Sequence, residues 1–296
     1  MKNDKSTVKY RVLEGSELFA PFGINIRINK VYQTKGSFHT HDFFEFVYVE
    51  KGFMVHNHNG RTHILTAGDV LCIVPGQIHS YTMAYEATIY NILFDRNAFG
   101  PAINEISSID ILKDILSCNT NVFPVVKLNI PQRHEMMNMI NKMVNEQIQT
   151  AIGWKTMLRV HTLDFLIFFA RAYASSQRER AFENAEGVVY YGYILKTLKF
   201  IEDNFKNDIT SSEIAENVGI SSDYITKQFK KELEITPLEY LRKYRIAKAI
   251  ELIKTTDMSI SDISAECGFN DLSLFSRVFK HTFGLTPRDF KKEIQD

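Results

Sequence analysis

The sequence predicts a multidomain chain of both α and β structure. It has an N-terminal β-barrel over residues 1–130, a helical hairpin over 131–180 and an all-α C-terminal half over 190–296. Three observations carry that expectation. Short apolar and aromatic runs, broken by Gly and Asn, fill the stretch from about 24 to 95. From Pro131 the apolar residues recur at helical spacing. The last hundred residues hold one pattern twice. At roughly 150 residues per domain, 296 residues make two domains, and each half is long enough to bury its own core.

The strand runs are Phe43 to Val49, Thr62 to Leu65, Val70 to Val74 and Ile89 to Phe94. Asn59-Gly60 separates two runs and is the preferred dipeptide of a type I′ hairpin, whose two central residues need positive φ. Many short strands with turn signals predict a small barrel or sandwich. Met136, Met137, Ile140, Met143, Val144 and Ile148 mark one amphipathic helix, and Met157, Leu158, His161, Leu163, Phe165, Leu166, Phe168 and Phe169 a second. Such a hairpin needs a partner for its apolar faces. The stretch Ser175 to Arg180 is polar and unpatterned, and is expected to be a linker. After Tyr190 the pattern is helical, with breaks at Gly219, Pro237, Gly268 and Pro287.

Those breaks expose a repeat. Ile214, Ala215 and Gly219 recur 49 residues later as Ile263, Ser264 and Gly268, and Ile225, Phe229, Lys230, Thr236 and Pro237 recur 50 residues later as Phe275, Phe279, Lys280, Thr286 and Pro287. The one-residue slip falls in the turn, where insertions cost least. Each copy is laid out as helix, glycine turn, helix. Ser221 or Ser222 caps the second helix of the first copy, and Asn270 or Asp271 that of the second. With Ile225, Phe229, Phe275 and Phe279 facing inward, the outward residues are Ser222, Asp223, Thr226, Lys227 and Lys230 in one copy. In the other they are Ser273, Ser276, Arg277 and Lys280. A helix presented in this way fits the major groove of DNA. A plain helical bundle with glycine turns is the competing reading. Matched caps, cores and outward cations in both copies weigh against it.

The segment from Arg245-Ile246-Ala247 through Ile260-Ser261-Asp262-Ile263-Ser264, Gly268-Phe269-Asn270-Asp271 and Phe275-Ser276-Arg277-Val278-Phe279-Lys280 to Gly284-Leu285-Thr286-Pro287 closely resembles the signature of the AraC/XylS family of transcription regulators. The resemblance covers about the last hundred residues. It implies two helix-turn-helix units joined by a long helix, here about Pro237 to Thr255, with one helix of each unit in successive major grooves. The nine outward residues would then be the DNA-binding set. One departure is Glu234, which stands where the second copy has Phe283-Gly284.

Six of the nine histidines, at 39, 41, 56, 58, 63 and 79, fall within the N-terminal region. His39-Thr40-His41, Glu45 and Gly52, then Gly68-Asp69, Pro75-Gly76 and His79, are similar to the two short motifs of the cupin barrel. His39 and His41, alternating on a strand, can reach one cavity. Three readings stay open for this set: contacts to a small-molecule effector, a structural polar network, and a metal site of His39, His41, Glu45 and His79, which would suit Fe, Mn, Ni or Zn. The expected effector-binding residues are Arg27, His39, His41, Glu45, Tyr48 and His79, and the resemblance implies a sugar or related metabolite. His56, His58 and His63 flank Asn59-Gly60 and are expected at a solvated hairpin tip.

Net charge is zero, with 35 basic and 35 acidic side chains, and each half is within one charge of neutral. The composition therefore gives no support to a generic basic nucleic-acid binder. The charge is patterned, however. Arg242, Lys243, Arg245 and Lys248 lie on the linking helix, and Arg277, Lys280, Arg288, Lys291 and Lys292 near the end. Glu213, Glu216, Asp257, Asp262 and Glu266 fall on the helices behind, so a basic DNA face and an acidic back are expected. Cys72, Cys118 and Cys267 suggest neither a disulfide framework nor a zinc site. The polar Met1 to Lys5 and the short apolar run Phe165 to Ala170 suggest no signal peptide and no membrane span. A cytoplasmic, non-enzymatic regulator is expected. It would have no cofactor, with double-stranded DNA, a small effector, a second copy of the chain and RNA polymerase as partners. A cupin metalloenzyme and a thiol sensor acting through Cys72 or Cys118 are the alternatives.

Overall fold

The computed structural model describes residues 11–15, 19, 22–31, 37–58, 61–119, 124–180 and 186–293. The chain divides into two compact units, residues 1–184 and 185–296. The first is sheet-rich and the second helical.

In the first unit the strands are β1 (Arg11–Leu13), β2 (Ile24–Val31), β3 (His39–His41), β4 (Phe44–His58), β5 (Arg61–Thr66), β6 (Asp69–Ile73), β7 (His79–Phe94) and β8 (Val125–Lys127). They form one sheet in the order β1-β3-β7-β4-β6-β8, with β2 added to β7 and β5 to β4. A turn of 3₁₀ helix (Arg96–Phe99) and two short helices, α1 (Ala102–Ile106) and α2 (Asp110–Leu116), precede β8. The Asn59-Gly60 turn lies outside the described residues. The strands it joins pair His58 with Arg61, as a two-residue connection requires.

The long β4–β7 ribbon sets the shape. Glu45 pairs with Leu93 at one end and His58 pairs with His79 at the other. A straight ribbon would hold those two points about 40 Å apart, at roughly 3.3 Å per residue. Yet Glu45 Oε2 lies 3.6 Å from His79 Nε2. The ribbon therefore coils back on itself. It does so through register shifts between Val49 and Lys51, Lys51 and Phe53, and Val55 and His56. Extra residues of this kind bend a strand and increase its twist. Gly52, at the centre of the bend, has φ +69°, and a Cβ there would meet the Tyr85 carbonyl. Only glycine fits such a position.

Coiling gives the sheet two buried faces. Val47, Val49, Leu71, Ile73, Ala87 and Ile89 form the inner apolar cluster. Phe44, Phe46, Tyr48, Cys72, Ile92 and Phe94 point the other way and are covered by helices α3 (Ile130–Gln149) and α4 (Trp154–Arg180), through Met136, Ile140, Met143, Phe165 and Phe169. The hairpin's expected partner is thus the sheet itself. Asn129 and Gln132 form a reciprocal capping box that starts α3. Near its end the Gln147 side chain accepts from the Ile26 N–H at 2.8 Å and donates to the Ile26 carbonyl at 3.1 Å, tying the helix to β2. The expected linker at Ser175 to Arg180 is instead the continuation of α4. Ser175 and Ser176 return their hydroxyls to the Arg171 and Tyr173 carbonyls, so these polar residues fit a helix.

The second unit contains α5 (Glu186–Asn204), α6 (Ser211–Val218), α7 (Ser222–Leu233), α8 (Pro237–Thr255), α9 (Ile260–Glu266), α10 (Leu272–Phe283) and α11 (Pro287–Glu293). The repeat is built from repeated caps. Thr210 and Ser259 cap α6 and α9, and Ser221 and Asp271 cap α7 and α10. Thr236-Pro237 and Thr286-Pro287 open α8 and α11, where each threonine hydroxyl bonds an acid three residues on, Glu239 or Asp289. Gly219 and Gly268, at φ +74° and +78°, make the two turns. Gly268 is doubly constrained, because a Cβ would meet the Phe205 carbonyl oxygen at 2.7 Å. Glu234, at φ +62°, occupies the left-handed position that Gly284 fills in the second copy. That departure carries a local cost of about 1–2 kcal/mol and leaves the repeat intact.

Candidate functional site

Two sites emerge, one in each unit. In the first, β3 places His39 and His41 on one face, with His39 paired to His79 of β7. His41 and His79 are fully buried and His39 is partly exposed. His41 Nδ1 lies 2.7 Å from the Phe43 carbonyl, and its ring stacks on Phe43 at 4.2 Å. Its Nε2 is left facing Glu45 Oε2 at 3.2 Å. His79 repeats the arrangement, with Nδ1 3.4 Å from the Gln77 carbonyl and Nε2 turned to the same carboxylate oxygen. Asn91 Nδ2 donates to the other oxygen, Glu45 Oε1, at 2.5 Å. Burial alone pushes the Glu45 carboxyl up. The bonds to His41 and His79, and their charge, outweigh it and hold the group well below the usual carboxylate range. The two rings each lie between a backbone carbonyl and this carboxylate, all acceptors. A proton or a divalent cation on the Nε2 side satisfies that arrangement.

A cavity of about 410 Å³ opens beside this cluster, lined by Arg27, Lys30, His39, His41, Glu45 and Asn91 among others. Arg27 sits directly across from Asn91 in the β2–β7 pairing. The cavity is cationic at its exposed side and carries one buried carboxylate. Of the six expected effector residues, Arg27, His39, His41 and Glu45 line it, and His79 touches Glu45 behind. Tyr48 does not. It is three residues from Glu45 and so on the opposite face of β4, buried in the core near Tyr90. The expected four-residue metal set also narrows. Ligand atoms of His41, Glu45 and His79 lie within 4.8 Å of one another, and His39 falls outside that group. These three could hold a transition-metal ion.

The expected hairpin-tip histidines behave differently from expectation. His56 and His58 are buried, and His63 is partly so. The His56 ring lies 5.4 Å from His79 and 4.9 Å from Tyr81. The coil of β4 carries this end of the hairpin into the cluster instead of into solvent. Asn91 was not anticipated, although a polar residue between Ile89 and Leu93 on an inward face is a readable signal.

In the second unit, the second helix of each repeat presents the expected residues outward. Asp223, Lys227, Lys230, Ser273, Arg277 and Lys280 are exposed, and Ser222, Thr226 and Ser276 are partly so. Among the described residues, Lys227, Arg277 and Lys280 are held in no ion pair. Three other cations expected on the DNA face are engaged elsewhere. Arg245 donates to the Phe205 and Asn207 carbonyls, both at 2.7 Å, just past the end of α5. Lys248 pairs with Glu251 at 2.6 Å, and Lys291 bonds the Met258 carbonyl. Glu213 and Asp262, assigned to an acidic back, are third residues of α6 and α9 whose carboxylates accept from the hydroxyls of the capping Thr210 and Ser259. Burial pushes the Cys72 thiol well up and raises Cys118, and Cys267 is pushed up to about 12, so none is primed as a thiolate.

These features define a class: a sheet-rich unit with a ligand-sized polar cavity, followed by a double helix-turn-helix unit. Residues 27–147 match the family described as AraC-like ligand binding domain, and residues 214–293 match the helix-turn-helix domain family. The HTH-type transcriptional activator RhaS of Escherichia coli O139:H28 is 25% identical over 257 residues, covering 86% of this chain and 87% of that protein. RhaS of Mannheimia succiniciproducens is 28% identical over 257 residues, covering 86% and 88%. A solved structure, a probable AraC family transcriptional regulator from Rhodopseudomonas palustris CGA009, is 25% identical with a TM-score of 0.33, over 35% of this chain and 97% of that one. The chain belongs to the AraC/XylS family of transcription regulators. It is a DNA-binding regulator with an N-terminal ligand-binding domain. No helix among the described residues is long and apolar enough to cross a membrane.

The buried histidines make a pH prediction. His56 is held well below its ordinary value, first by burial and then by the charges of His79 and His58; His39 is lowered by burial and by His79. A group lowered in the fold takes its proton first in the unfolded chain, so stability is complete above about pH 6.5 and declines as the pH falls below it. The Glu45 contribution is lost only at more acid pH, below the ordinary carboxylate range. The melting temperature of the first unit should therefore drop between pH 7.5 and 5.5, and His56→Gln should flatten that drop. An unchanged slope in the variant would contradict the assignment.

Proposed function

We propose that this chain is an effector-controlled, sequence-specific transcription activator, acting in the cytoplasm as a homodimer. The observation that carries the DNA-reading part is the repeated capped helix with unpaired outward cations, Lys227 in one copy and Arg277 in the other. In the first recognition helix the contacts are assigned to Ser222, Asp223, Thr226, Lys227 and Lys230. In the second they are assigned to Ser273, Ser276, Arg277 and Lys280. Activation is assigned from the RhaS relatives, which are transcriptional activators; contact to RNA polymerase is part of the same proposal. In a gel-shift assay, Arg277→Ala should weaken binding to the chain's target duplex about tenfold or more, the scale of losing one bidentate base contact. Lys227→Ala should weaken it as well. Intact binding in both variants would refute the mapping.

The effector is assigned to the cavity and to the class of sugars and sugar acids. His39, His41, Glu45 and Asn91 suit hydroxyl groups, with His79 behind them. Arg27 and Lys30 suit a carboxylate or phosphate substituent. Ile148, Ile152, Met157 and Val160, apolar and exposed around the α3–α4 turn, support dimerisation through the helical hairpin. Bound effector would bias DNA engagement by a coupling of about 1–3 kcal/mol. The metalloenzyme alternative is not favoured, because the RhaS relatives are transcription activators and the two matched families are a helix-turn-helix domain and a ligand-binding domain. A thermal-shift panel of neutral and acidic monosaccharides should contain one that raises the melting temperature of the wild type but not of Glu45→Gln. A panel without any stabiliser would refute the sugar class.

A further inference from the structure

Large apolar side chains are scarce on the surface of the second unit. Among its described residues, three are exposed: Tyr224, Leu272 and Leu274. All three lie in the first turn of a recognition helix. Tyr224 and Leu274 occupy the same repeat position, 50 residues apart, each the third residue of its helix and each preceding a buried core residue, Ile225 or Phe275. Each also stands three residues before an outward cation, Lys227 or Arg277, and residues so spaced share one helix face. The same pairing of one exposed apolar group with one free cation is therefore built twice, at the end of each helix that enters the groove first.

Neither side chain is explained by the fold. Each is more than two-fifths exposed, Tyr224 at 44% and Leu274 at 41%, and Leu272 beside it at 44%. Scattered exposed leucines are ordinary on a protein surface. Confinement of all three to the recognition helices, at matched positions, is not. The major groove offers one apolar feature, the C5-methyl group of thymine, while guanine offers paired acceptors to an arginine or lysine.

We propose that Leu274 and Tyr224 read thymine methyl groups, each beside the base contacted by the cation one turn on, with Leu272 widening the apolar contact in the second half-site. This inference rests on the DNA-reading function proposed above and adds to it the chemistry that sets sequence preference. Each half-site would combine a thymine with a neighbouring guanine.

The test uses the full-length chain and a duplex that it selects from a random-sequence pool. Thymines in the selected duplex are replaced singly by deoxyuridine, which removes the methyl group and nothing else. Wild-type protein should lose about fourfold in affinity at one thymine or more in each half-site, the scale of one buried methyl. Leu274→Ala should bind thymine and deoxyuridine equally in one half-site, and Tyr224→Ala in the other. Equal affinity of the wild type for every deoxyuridine duplex would overturn the proposal while leaving sequence-specific binding standing. So would variants that still discriminate at every position, which would assign the exposed residues to a protein partner. A pool that yields no preferred duplex would overturn the DNA-reading function itself, and this inference with it.

Discussion

The N-terminal unit is organised around one buried carboxylate. Glu45 belongs to the end of the β4–β7 ribbon opposite His79, and the two meet only because the ribbon is coiled. A buried carboxylate is costly unless it is paired and hydrogen-bonded. Here one oxygen faces the imidazoles of His41 and His79 and the other accepts from Asn91. Removing the coil would strand the charge, and removing the charge would take the carboxylate partner from the Nε2 atoms of His41 and His79. The bend at Gly52, the register shifts of β4 and the polar floor of the cavity are thus parts of one constraint. Helices α3 and α4 then cover the outer apolar face that the same coil creates.

The C-terminal unit depends on local chemistry instead. Its helices from α6 onward begin at Thr or Ser caps, or at Asp271, and its helix-turn-helix turns rely on left-handed glycines at fixed positions. Zero net charge is compatible with DNA binding here because charge is distributed by task. Some cations are spent inside the protein, as when Arg245 ties down the end of α5. Some acids are spent on caps. What remains on the recognition helices is a small set of free cations; under the proposed DNA reading, nonspecific attraction to phosphate would be weak and base-edge contacts would supply most of the discrimination.

The second unit was the more legible in sequence because its determinants are local. The offsets of 49 and 50, the caps and the span of the linking helix, Pro237–Thr255, all follow from residues a few positions apart. The first unit was legible as strands and as a His-rich site, since alternation places His39, His41 and Glu45 on one face. Strand parity also carries the correction for Tyr48, because a residue three positions from Glu45 on one strand faces the opposite side. The burial of His56 and His58 could not be read, because it depends on a long-range coil that local pattern does not encode. The helical fate of Ser175 to Arg180 was hidden for a related reason. Polar residues without periodicity look like a linker, yet they extend a helix already nucleated by the apolar face before them.

On the proposed function, the two repeated helices read DNA side by side. Methylation protection of guanine N7 in a duplex selected by the full-length chain measures this most directly, because N7 lies in the major groove. Two clusters of protected guanines, separated by about one helical turn, roughly 10 base pairs, are expected on one face of the duplex for each bound chain. A single protected cluster, or two clusters on opposite faces of the duplex, would contradict it.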